Sequence, residues 1–208
     1  FLEHLEALRW LFMRVTIVIV SLGIVVFVFI DWIFEKIIFA PMNMDFWTYS
    51  QLCKMTHKLH ELMPALVSAD TGCFPPLSIQ VMVPKMTTQF MTAMLVSFIG
   101  GVIFSFPYLI WEIWRFIRPA LYHKEQKGAK GLVFWVSVLF GMGILFGYFL
   151  IAPMSIHFLG SFKVSNQIQN LPSLDSYMGT LFSTVLAAGV MFELPVLVYF
   201  LSKLGFTT

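Results

Sequence analysis

Apolar positions along the chain gather into four runs, residues 15–34, 90–113, 132–152 and 177–201. Each is long enough to cross the roughly 30 Å of hydrocarbon in a bilayer. None alternates with period two, which excludes barrel strands, and each reads as a helix that is apolar on all sides. Gly100, Gly101, Pro107 and Gly147 fall inside these runs. In a membrane they do not veto helix, because neighbouring helices and local adjustment re-satisfy the freed backbone groups. Gly143 and Gly147 form a small-xxx-small pair suited to close helix packing, a pattern common to membrane helices.

The polar stretches carry patterns of their own. In "FLEHLEALRWLF" the apolar residues Leu2, Leu5, Leu8 and Phe12 alternate with Glu3, His4, Glu6 and Arg9 at helical spacing. This predicts an amphipathic helix on the membrane surface that feeds into the first run. No small-residue cleavage site follows that run, so it reads as a retained span and not as a signal peptide. The chain starts at Phe1, and a few residues are expected to precede it. Residues 35–85 hold one short helix, "FWTYSQLCKMTHKLHELM", and the prolines Pro64, Pro75, Pro76 and Pro84. They read as an ordered cap, because Phe46, Trp47, Leu52, Leu59 and Leu62 need a surface to pack against.

Composition sharpens the class. Of 208 residues, 59% are hydrophobic and 12% charged, with a mean hydropathy of +0.84. A water-soluble fold cannot cover that much apolar surface, so the chain is read as a single polytopic, all-α membrane domain over residues 1–208. The net charge of +2 says less than its distribution. Arg115, Arg118, Lys124, Lys127 and Lys130 stand against Glu125 alone in the loop between the second and third runs. Residues 35–85 are balanced in charge, and residues 153–176 hold only Lys163 and Asp175. The positive-inside rule then puts the basic loop and both chain ends in the cytoplasm, and the 35–85 cap outside.

Several residues invite chemistry. Cys53 and Cys73, the only cysteines, both fall in the outer segment, and an oxidising compartment favours a disulfide between them. The alternative is a metal held by Cys53, His57 and His60 on one helix face, but no fourth ligand is evident and no metal site is assigned. Glu125 is either a solvated charge or a carboxylate awaiting a cationic ligand, which an arginine fork would fit. Glu193 is deeper, about 15 Å from Lys203 at 1.5 Å per residue. An ionised carboxylate facing lipid at that depth costs about 2.5–3.5 kcal/mol. It therefore predicts either an internal hydrogen bond to a serine such as Ser97, Ser105 or Ser137, or a partner helix docked at a polar notch that Pro195 opens near Met191. There is no HExxH, GxSxG or Walker loop, so neither an enzyme, a cofactor nor a nucleic-acid partner is expected.

Three segments, "HLEALR", "FPYLIWEIWRFIRPALYHKEQK" and "FELPVLVYFLSKLGFTT", together resemble the TatC family from His4 to Thr208. The resemblance implies a twin-arginine signal-peptide receptor and core subunit of a translocase. Such a translocase exports folded proteins using the proton-motive force, as an oligomer with TatA and TatB family proteins in the bacterial inner (cytoplasmic) membrane. It implies signal-peptide binding at Glu125 with Phe116, Pro119, Glu3 and Glu6, partner-helix contact at Glu193 and Phe90, and structural roles for Pro41 and Pro195. Two departures stand out. Ala7 occupies the place of the family's glutamate, with Glu6 one residue earlier, and the chain carries four spans where the family has six. The competing readings are a proton-coupled secondary transporter, in which Glu193 titrates, and a purely structural membrane subunit.

Overall fold

The computed structural model describes residues 2–43, 46–62, 81–117, 129–162 and 171–203. In chain order these form α1 (Leu2–Val28), α2 (Ile30–Ile33), a π turn (Phe34–Ile38), a 3-10 turn (Ala40–Met42) and α3 (Trp47–Leu62). Then come α4 (Met86–Ile117), α5 (Ala129–Phe146), a second π turn (Gly147–Ile151), α6 (Ala152–Ser161) and α7 (Leu174–Lys203). Four segments of the described residues are long and apolar enough to cross a membrane: Leu5–Val28, Met86–Ile117, Val133–Ser161 and Leu174–Tyr199. Among the described residues the only β pairing is an isolated parallel bridge between Met82 and Ser173.

All four apolar runs are helical, the first only to Val28 before a break at Phe29 and the short α2, and two further differences in extent stand out. The amino-terminal repeat and the first run form one unbroken helix, α1, instead of a surface helix followed by a span. Nothing in Leu2–Val28 interrupts the backbone ladder, since the segment contains no proline and only Gly23 as glycine. The third run continues to Ser161 instead of ending at Ala152. Pro153 ends an α-helix in most contexts, but here it stands at the start of α6 directly after the π turn. There its missing N–H is tolerated.

The chain forms two compact units. The first comprises Phe1–Ile30, Phe90–Gly143 and Gly189–Thr208. Its α1 and α4 meet backbone to backbone: a Cβ at Gly101 would lie 2.7 Å from the Ile19 carbonyl oxygen, and one at Gly23 would lie 3.3 Å from that of Ser97. Lipid removes the hydrophobic drive between helices, so this close approach supplies dispersion that bulkier residues would forfeit. The rings of Phe106 on α4 and Phe140 on α5 stack with centroids 3.6 Å apart. Ser97, Ser105 and Ser137 donate to carbonyls of their own helices, those of Ala93, Val102 and Val133. Large side chains such as Ile17, Phe104 and Trp135 stay exposed on this unit, as lipid-facing positions of a span are.

The second unit comprises Asp31–Gln89 and Ile144–Ala188, and it is held by side chains that satisfy irregular backbone. Carbonyls at the ends of helices lack intrahelical donors. Tyr148 donates to the Ile37 carbonyl at 2.6 Å, and Tyr177 donates to that of Ile38. Tyr49 of α3 reaches the carbonyls of Pro41 and Pro153 at 3.0 and 3.1 Å. Pro153 withholds the amide that would serve the Phe149 carbonyl in an α-helix. Thr48 donates its hydroxyl to that carbonyl. Phe46 is buried and stacks on Phe149, while Trp47 meets the same ring edge-on. The surface that these two aromatics require is thus the second π turn. The strand-like pairing of Met82 ties the chain ahead of α4 to the start of α7 through the Pro172 carbonyl and the Leu174 amide. Gly147 packs on α7, where a Cβ would fall 2.8 Å from that of Ala188.

Candidate functional site

A pocket of about 420 Å³ opens within the first unit where the amino-terminal half of α1 passes the carboxy-terminal end of α4. From α1 it takes Ala7, Trp10, Leu11 and Arg14, and from α4 it takes Glu112, Arg115 and Phe116. Both sets recur at intervals of three and four residues, which puts each on one helical face.

Glu112 organises the charged part of the wall. It is 4% exposed. Tyr108, one turn earlier on α4, donates its hydroxyl to Glu112 Oε1 at 2.8 Å. Arg14 of α1 places Nη1 3.7 Å from the same oxygen. That separation is an ion pair and not a close guanidinium fork, whose N–H···O distances are about 2.7–2.9 Å. The Glu112 side chain is buried while that of Arg14 is 46% exposed, so the cationic member of the pair is the one that reaches the surface. Removing Arg14 would strand a buried anion, the more damaging half of such a pair to lose. The opposite end of the pocket is apolar, made by Trp10, Leu11 and Phe116.

Glu112 escapes a reading of the sequence because charges near the end of a span ordinarily snorkel to water. The available signal is Tyr108 one turn before it, a hydroxyl at i, i+4 to a carboxylate inside an apolar run.

Of the residues expected to bind a signal peptide, Phe116 lines the pocket beside Ala7. Glu3 and Glu6 lie in the first turns of α1, Glu6 being exposed. Pro119, Glu125 and Cys73 lie outside the described residues. Phe90, on α4, is 60% exposed. Pro41 is fully buried in the 3-10 turn, and α7 runs through Pro195 to Lys203 as helix. Among the described residues Glu193 Oε1 is buried with no hydrogen-bond partner, although the Phe140 backbone lies within reach of the carboxylate. The three serines considered as its partners bond their own helices instead. Cys53, on α3, is disulfide-bonded, so it offers no thiolate to a metal. Among the described residues no group of three His, Cys, Asp or Glu side chains is placed to hold a metal ion.

Comparison with known proteins adds a family. The family model described as Sec-independent protein translocase protein (TatC) matches residues 3–208. The Sec-independent protein translocase protein TatC of Blattabacterium sp. subsp. Periplaneta americana is 33% identical over 204 residues, 98% of this chain and 74% of that protein. Proteins of the same name from Campylobacter jejuni and Helicobacter pylori (strain J99) are 32% and 39% identical, over 63% and 57% of this chain. Those matches span only about half of the two relatives' length, 54% and 47%. Among solved structures, two crystal structures of the twin arginine translocase receptor TatC superpose with TM-scores of 0.71 and 0.73 at 24% and 25% identity. Each superposition covers 99% of this chain, and 77% and 78% of the other.

Proposed function

Since the chain belongs to the TatC family of Sec-independent protein translocase proteins, we propose that it is the twin-arginine signal-peptide receptor and translocase core of a bacterial inner membrane. The observation that carries this reading is the family match from residue 3 to residue 208, which includes the basic segment after α4. In this reading the basic segment is cytoplasmic, as its excess of Arg and Lys favours. Glu125 within it is kept ionised by the surrounding cations and receives one guanidinium of the arginine pair bidentately. Glu3 and Glu6, in the opening turns of α1, add negative charge nearby, and Phe116 and Pro119 give an apolar footing. Each charge-assisted hydrogen bond contributes about 1.5–3 kcal/mol.

The opposite membrane face carries α3 and the rest of the 35–85 segment as a cap, closed by a disulfide from Cys53 to Cys73. Glu193 serves assembly. Its buried Oε1 gains in a partner helix of TatA or TatB type the donor it lacks among the described residues. Phe90, an exposed aromatic near the start of α4, is a second point of contact for such a helix. The four spans belong to a six-span fold, and export of folded proteins at the expense of the proton-motive force is the activity of the oligomer assembled with those partners. No catalytic residue enters; the output is assembly.

The test is binding of a twin-arginine signal peptide to the purified chain, compared with a twin-lysine version and with Glu125→Gln. The expected result is tight binding of the arginine peptide, weakened about ten- to a hundredfold by either change. Equal binding in all three cases would overturn the assignment of Glu125 and the receptor role with it.

A further inference from the structure

We propose that the pocket between α1 and α4 binds the phosphate of an anionic phospholipid. The proposal is independent of the receptor reading, because it rests on the charge and position of the pocket itself.

Three ionisable side chains line it, Arg14, Arg115 and Glu112, which leaves one positive charge in excess. Glu112 is buried and already engaged by Tyr108 and Arg14, and both contacts fall on one oxygen, Oε1. The arginines are differently placed. Arg14 is 46% exposed and touches the carboxylate through Nη1 at 3.7 Å, so most of its five N–H donors remain for a second partner. Arg115 is exposed in the last turn of α4. Two guanidinium groups around one cavity match the oxygens of a phosphate, which accept from such forks bidentately. An incoming arginine or lysine would instead raise the local excess from one positive charge to two.

Position supplies the second half of the argument. Both helices are membrane spans by length and composition, and Arg115 lies two residues past the apolar run that ends at Ile113. The pocket therefore opens where a span leaves the hydrocarbon, at the level of lipid headgroups. Trp10, 52% exposed, and Leu11 form the apolar side on which the glycerol and first acyl carbons rest. Ala7 keeps that wall short and uncharged. A headgroup with a net negative charge is preferred over a zwitterionic one, whose own ammonium would meet the arginines.

The experiment places the chain in nanodiscs of equal phosphatidylglycerol and phosphatidylcholine and counts the lipids retained after gentle release by native mass spectrometry. The expected result is selective retention of one phosphatidylglycerol. Arg115→Gln should weaken that selectivity about fivefold. Ala7→Glu, which leaves both arginines in place and neutralises the excess charge, should abolish it. Lys36→Gln, a charge removed from the first π turn, should leave it intact. Selectivity unchanged in both Arg115→Gln and Ala7→Glu would overturn the proposal. Full displacement of the lipid by millimolar inorganic phosphate would also overturn it, by showing that soluble phosphate and not a lipid is the ligand.

Discussion

Gly101 stands so close to the carbonyl of Ile19 that a Cβ at that position would fall 2.7 Å from the oxygen and 3.0 Å from the Gly23 nitrogen. The obstacle is backbone, which cannot swing aside as a flexible side chain can. Gly101→Ala should therefore push α1 off α4 and destabilise the chain by about 1–3 kcal/mol, the usual range for overpacking. Gly141→Ala is the matched control, because nothing lies within 4 Å of a Cβ there and alanine is the better helix former. Thermal melting of both variants in one detergent should show a lowered midpoint for the first and an unchanged or raised one for the second.

Tyr49 joins α3 to the carbonyls of Pro41 and Pro153, and burial pushes its phenol up to about 12. An unfolded tyrosine ionises near 10. The folded chain thus holds a proton that the unfolded chain releases, so this contribution to stability is intact below pH 10 and is lost as pH rises towards 12. Tyr49→Phe removes the one hydroxyl proton that the Pro41 and Pro153 carbonyls share, which should destabilise by about 1–3 kcal/mol at pH 8. Denaturant melts of both proteins at pH 8 and pH 11 check the sign: the gap between wild type and variant should narrow at the higher pH.

The disulfide at Cys53 should matter to α3 more than to the spans. If it closes the loop to Cys73, as proposed, reduction releases a loop of about 20 residues, worth roughly 3 kcal/mol. Limited proteolysis with and without reductant should show cleavage in residues 46–85 under reduction while α4 and α5 stay protected. Equal resistance in both conditions would count against the bridge as a brace of the cap.

Glu193→Leu should separate stability from assembly. A buried carboxylate oxygen without a partner is a liability in the chain alone, so the substitution should raise the melting temperature of the purified protein by an amount equivalent to about 1–3 kcal/mol. In cells, on the assembly proposed above, it should lower copurification of the TatA- and TatB-type partners. A destabilised Glu193→Leu chain would show that the carboxylate is satisfied internally and would remove the reason for a docked helix.

Hydropathy alone places all four spans, because a residue-by-residue transfer energy summed over a span is large compared with any local exception. It also finds α3, whose bounds of Trp47–Leu62 nearly match the expected "FWTYSQLCKMTHKLHELM". What it does not see is contact between segments distant in the chain. In the sequence Gly101 is only a glycine that an apolar run tolerates, and its role appears only with Ile19 and Gly23 beside it. Glu112 is hidden for the same reason, since its partner Arg14 lies on another helix. Composition likewise suggests a surface helix before residue 15, where the amphipathic repeat changes to an apolar run, but the backbone has no reason to break there.

The π turn at Gly147–Ile151 has a consequence for chain length. Such a turn holds one residue more than an α-helical path along the same axis, and each α-helical residue turns the chain by about 100°. Deleting a single residue from Gly147–Ile151 would remove the π turn, leave α6 following α5 on an α-helical path kinked at Pro153, and rotate everything from Ala152 to Ser161 by about that angle. The Pro153 carbonyl would swing away from Tyr49, and the face that α6 now shows to α3 would be replaced by another. A one-residue gap inside a membrane span, ordinarily read as an alignment error, would here mark the gain or loss of the seat on which the aromatic cap rests.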